Sequence, residues 1–132
     1  MYEASAWMME SPGWRIDESE ESIAFLPCDG DDAALTVSAF RNTIGAIADD
    51  ELREMAGRAS PAGAIHAPVT CGEFRGLHAR YEHEGVAWRV WWLALGATHL
   101  YVTFNCDPAT AGTRDAVLDW MMTTLRLSPS HS

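Results

Sequence analysis

Few groups in this 132-residue chain are placed to do covalent chemistry. Cys106 stands just before Asp107-Pro108, a helix-start signal, and amides at a helix N-terminus lower a thiol pKa. A nucleophile also needs a base, and His66, His78, His83, His99 and His131 follow no motif that sets one beside it. The ordinary role of such a cysteine is that of a small buried hydrophobe. Metal binding needs close ligands, and His78 and Glu82 share a strand face at a spacing of about 13 Å, with His83 pointing the other way. Pro27–Asp32 (PCDGDD) gathers acids near a glycine but lacks the alternating oxygens and closing glutamate of a calcium loop, so it reads as a solvated turn. GxGxxG, GxxxxGK[ST], GxSxG and HExxH do not occur. The expectation is a non-enzymatic protein with no cofactor and no metal.

The aromatic residues carry more information. Val86–Cys106 reads VAWRVWWLALGATHLYVTFNC, two β-prone runs parted by Gly96-Ala97. A two-residue, glycine-led loop fixes antiparallel register. It sets Leu93 opposite Leu100, Trp91 opposite Val102, Arg89 opposite Phe104, Trp92 opposite Tyr101 and Trp88 opposite Asn105. Glu84-Gly85 is a second turn, which places Tyr81 opposite Trp88 and Leu77 opposite Trp92. A third turn at Arg75-Gly76 sets Phe74 opposite Leu77 and Thr70 opposite Tyr81, completing a four-stranded meander.

Alternation sorts this meander into two faces. Trp91, Leu93, Leu95, Leu100, Val102 and Phe104 share one, with Arg89, Glu73, His78, Arg80 and Glu82 toward its edge. Phe74, Leu77, Tyr81, Trp88, Val90, Trp92 and Tyr101 share the other, with His99, Thr103 and Asn105. Neither set is polar, so a covering layer is expected on both. Tyr81, Trp88, Trp92, His99 and Tyr101 are the candidate partner- or ligand-binding residues. Two roles stay open for them: core under a helical layer or under the Trp7-Met8-Met9 arm, or the wall of a groove.

The elements around the meander follow from breaks and caps. Met1–Glu10 reads as a short helix or an arm, ended by Ser11-Pro12-Gly13. Trp14–Asp17, Ile23–Leu26 and Ala34–Arg41 are three short strands. Asp49-Asp50-Glu51 opens a helix, with Asp49 as its cap, which Ser60-Pro61-Ala62-Gly63 closes. Asp107-Pro108 signals the last helix, although Gly112 moves its firm start toward Thr113. Residues 128–132 are expected to fray. The order is β-β-β-α-β-β-β-β-α: a single α+β domain over 1–132, with an antiparallel sheet of about six or seven strands between helices.

Charge narrows the partners. The net charge is −10, and all nine basic residues are arginine, which fits a GC-rich bacterial coding sequence. Such a chain repels phosphate backbones and anionic membranes, so neither nucleic acid nor membrane is expected as partner. No run is long and apolar enough to span a bilayer, and the start lacks a basic region followed by an apolar core. Cys28, Cys71 and Cys106 are odd in number and widely spaced, which suggests reduced thiols and a cytoplasmic setting.

Early Trp14 opening a hairpin, ALTVSAFR leading into a helix, GEFRG before the meander, WRVWWLALGATHLYVTFNC and a terminal helix ending TLRL together resemble the Mog1/PsbP-like group. The resemblance runs from about residue 12 to 127 and carries no catalytic motif. It implies an antiparallel sheet between helical layers and a protein-binding role, as in immunity proteins, secretion adaptors or chaperones. The acids Glu18, Glu20, Glu21, Asp29, Asp31 and Asp32 are then expected to meet a basic surface on another protein. A small-molecule binder using the aromatic face is the alternative.

Overall fold

The computed structural model describes residues 2–4, 6–28 and 32–128. Seven strands form one antiparallel sheet: β3 (Trp14–Glu18), β4 (Ile23–Pro27), β5 (Ala34–Arg41), β6 (His66–Cys71), β7 (Phe74–His83), β8 (Val86–Leu95) and β9 (Thr98–Cys106). Their spatial order is β3-β4-β5-β9-β8-β7-β6. Helix α1 (Asp49–Ala59) joins β5 to β6, and α2 (Asp115–Thr123) follows β9. Among the described residues this is an α+β fold with a seven-stranded antiparallel sheet and two α-helices.

The two central hairpins have the expected register. Trp91 pairs Val102, Trp92 pairs Tyr101, Tyr81 pairs Trp88 and Leu77 pairs Trp92. Their turns show why. Gly96 leads its pair with φ +59°, and at the other turn Glu84 and Gly85 both take positive φ (+52° and +79°), as a type I′ turn requires. Beyond β9, β5 continues the sheet with Leu35 beside Phe104 and Val37 beside Val102.

The third turn lies elsewhere. Cys71 pairs Phe74 and Pro68 pairs Leu77, so the chain reverses at Gly72-Glu73 rather than at Arg75-Gly76. Gly72 supplies the positive φ (+61°) that a glycine-led turn needs. Gly76 stays inside β7, where an added Cβ would collide with the Trp92 carbonyl. Thr70 therefore pairs Arg75, not Tyr81, and Phe74 moves to the Trp91 face, where it is fully buried.

Two cores flank the sheet. The first joins Phe25, Leu35, Phe74, Trp91, Leu93 and Val102 to Leu118, Met121 and Met122 of α2. Trp7 and Met9 also belong to it, 2% and 1% exposed. The segment expected as a helix or arm is instead a strand. β1 (Tyr2–Glu3) and β10 (Arg126–Leu127) flank β2 (Trp7–Met9) in a small second sheet. Ser128 is buried, with its amide bonded to the Ala6 carbonyl, so this position does not fray. The rest of the expected tail, with His131, and Asp29 and Asp31 of the PCDGDD loop, lie outside the described residues. The second core is smaller: Leu52 and Ala56 of α1 pack on Leu77, Ala79, Val90 and Trp92. Asp49 is the first helical residue and Ala48 the cap, whose amide is taken by the Glu51 carboxylate at 3.3 Å. After β9, Asp107 caps a single 3₁₀ turn (Pro108–Thr110), and the α-helix proper starts at Asp115.

Candidate binding site

Helix α1 packs chiefly on β7 and β8 and, among the described residues, only borders the β5–β9 side of the same face. Along that side Thr36, Ser38, Tyr101, Thr103 and Asn105 are half-buried and Phe40 is 56% exposed. The aromatic face is therefore core under α1 and open beyond it. The Trp7–Met9 strand covers the opposite face, not this one.

The open part forms a groove around the C-terminal end of α1. Beyond that end, a hollow of about 370 Å³ is walled by Tyr81, Trp88 and Tyr101, with Ser60 and Pro61 across from them. Beside the helix, a second hollow of about 460 Å³ is lined by Phe40, Met55, Arg58, Trp92, His99 and Tyr101. Ala59 and Tyr101 line both, so the two hollows adjoin.

The five expected residues divide by burial. Tyr81, Trp88 and Tyr101 are half-buried and meet in the first hollow. Trp92 is 1% exposed, held between His66 and Tyr101 at ring distances of 5.4 and 6.2 Å, and is a floor rather than a contact. His99 is buried and sets Nδ1 2.9 Å from the Leu93 carbonyl, so Nδ1 carries the proton. Burial lowers its pKa, which keeps the ring neutral, and Phe40 stacks on it at 5.8 Å. Burial raises the pKa of the Tyr81 and Tyr101 hydroxyls, so both remain neutral donors. Phe40, Met55 and the end of α1 are groove residues that the candidate set lacks. The alternation of ALTVSAFR already puts Ser38 and Phe40 on one side; what it does not give is which strand β5 joins.

A second cluster lies on the opposite face. Arg89, 8% exposed, donates from Nε to His78 Nε2 (3.1 Å), and to Asp115 (3.2 Å) and Asp119 (2.7 Å) on α2. Its guanidinium lies 4.7 Å from the Trp91 ring centre, and Arg80 adds a second bond to Asp115. Burial, then the charges of Arg89 and Arg80, hold the His78 pKa down at about 4. Every polar group named here has a partner within the chain, so the cluster pins α2 to the sheet. Glu73, expected at this edge, binds the Leu127 amide and fastens β10. Cys106 is buried at the end of β9.

No protein-family model matches the sequence, and no curated protein matches it significantly. Among crystal structures, a Bacteroides thetaiotaomicron protein superposes with a TM-score of 0.70 at 16% identity. The match covers 96% of this chain and 46% of that one, so the chain spans under half of its relative's length. LpqN of Mycobacterium tuberculosis, a protein involved in cell envelope biogenesis, superposes with a TM-score of 0.56 at 17% identity, over 93% of this chain and 83% of its own. At these identities the likeness is one of fold. No helix among the described residues is long and apolar enough to cross a membrane.

Proposed function

We propose that the chain is a non-enzymatic, cytoplasmic binding module of the Mog1/PsbP-like type, which takes a segment of another protein into the groove around the end of α1. The observation that carries this reading is the half-open aromatic surface. Trp92 is sealed beneath, while Tyr81, Trp88, Tyr101 and Phe40 each keep part of their surface in water. Rings packed on one side and wet on the other are the side chains that anchor interfaces. The antiparallel sheet with helices on its faces supports the Mog1/PsbP-like assignment. An immunity protein or a secretion adaptor fits such a surface. Glu18, Glu20, Glu21 and Asp32 are exposed and favour a basic partner, while the net charge of −10 disfavours nucleic acid and anionic membranes.

The test is gentle purification of the tagged protein from its host, followed by native mass spectrometry. A co-purifying polypeptide is expected, released as salt rises. Trp88→Ala should lose it while far-UV circular dichroism and melting temperature stay near wild type. Retention of the polypeptide by a folded Trp88→Ala protein refutes the groove.

A second reading, binding of an apolar small molecule, is favoured by the size of the hollows. Volumes of about 370 and 460 Å³ fall within the roughly 300 to 1,000 Å³ of small-molecule sites. A small added mass in place of a polypeptide selects it.

A further inference from the structure

The hollow beyond the end of α1 differs in charge from the one beside the helix. Arg58 lines the latter, paired with Glu54 at 3.9 Å, whereas among the described residues neither arginine nor carboxylate lines the former. Three of its walls are aromatic: Tyr81, Trp88 and Tyr101. Across from them stand Ala59, the last residue of α1, and Ser60 and Pro61 after it, so the C-terminal end of a helix borders the hollow. An α-helix leaves its last four carbonyls without intrahelical donors, and they concentrate about half a negative charge there. In α1 these carbonyls belong to residues 56–59. Ser60 Oγ donates to that of Ala56 at 2.6 Å, and Pro61, next in the chain, has no N–H to offer the others. His83 stands at the rim, 3.8 Å from the Glu84 carboxylate.

Aromatic faces carry negative potential and attract cations, most strongly where water is thin. Anions are disfavoured by the helix end and by the net charge of −10. A bare ammonium is strongly hydrated and is best held by a carboxylate, and among the described residues none lines this hollow. Methyl groups lower that hydration and give the rings apolar contact.

We propose that this hollow recognises a methylated alkylammonium group, borne by a free quaternary amine or by a methylated lysine side chain. The inference rests on the groove being a binding surface and adds the chemistry of its occupant.

Choline, its neutral analogue with carbon in place of the charged nitrogen, and a short trimethyllysine peptide are titrated separately into the full chain at constant ionic strength. Indole N–H resonances report binding, with exposed Trp120 as the internal control. Choline is expected to shift Trp88 and not Trp120. It should bind about tenfold more tightly than the neutral analogue, the ratio set by a cation–π contribution of about 1.4 kcal/mol. Tyr101→Leu, which keeps apolar bulk, should remove that preference while the spectrum stays folded. A peptide tighter than choline assigns the group to a protein segment; a weaker one assigns it to a free amine. Equal binding of choline and its analogue, or no choline shift at Trp88, overturns the inference. A partner still captured through Trp88 in that case leaves the groove standing and sinks only the ammonium chemistry.

Discussion

Acid should loosen this protein through His78, and the window follows from its surroundings. In the folded chain the imidazole titrates at about 4, because burial disfavours the charged ring and Arg89 and Arg80 repel it. Unfolded, it titrates near 6.5. Above 6.5 both states hold it neutral and it contributes no pH dependence. Between 6.5 and 4 the unfolded chain binds a proton that the folded one refuses, so stability falls with falling pH. Each pH unit is worth about 1.4 kcal/mol, giving a loss of about 2 kcal/mol by pH 5, less what solvent screening removes at a half-buried ring. His99 is lowered in the same direction and adds to the slope. His78→Gln removes the titration yet keeps an acceptor for Arg89 Nε. Urea unfolding followed by tryptophan fluorescence at pH 7.5, 6 and 5 measures the effect. The wild type should weaken steadily below 6.5, and the variant should lose clearly less. An unchanged slope in His78→Gln refutes the reasoning.

Two further outcomes follow from packing. Gly76→Ala drives a methyl group into the Trp92 carbonyl, so it should cost several times the roughly 1 kcal/mol expected of Gly85→Ala, which meets only open space and the strain of positive φ; urea midpoints compare the two. Of the three thiols only Cys28 is exposed, and burial pushes that of Cys71 up to about 12. Native alkylation at pH 8 should therefore modify Cys28 alone, as read by intact mass, with Cys71 and Cys106 reacting only in denaturant; rapid native labelling at Cys106 contradicts the packing described.

What was legible in the sequence is what turns and alternation control. Gly96-Ala97 and Glu84-Gly85 fix pairing residue by residue, because a two-residue loop admits one register. The same logic misleads at GEFRG, where two glycines compete. Gly72 is demanded by φ and by the Leu125 carbonyl lying against it, Gly76 by a neighbouring strand's carbonyl, and both contacts are long-range. β1, β2 and β10 are two or three residues long, too short for any period to show. Trp88 and Tyr101 were identifiable as one face. That α1 stops short of them was not, since helix placement depends on Leu52 and Ala56 finding Leu77 and Val90.

The small sheet that joins β2 to β10 has a kinetic meaning. Ser128 bonds Glu3 across 125 positions, and Thr124 receives the Glu10 amide across 114. Loops of that length close late, since their entropy must be lost before any contact repays it. Trp7 and Met9 are therefore expected to reach their sealed positions after α2 has docked and the chain beyond it has turned back. Until then the Trp91 side of the great sheet would stay uncovered along one margin. Because Leu127 pairs with Trp7, opening of β10 in the finished molecule should also expose that edge of β2, and early amide exchange along this margin, read by hydrogen exchange, is the expected sign.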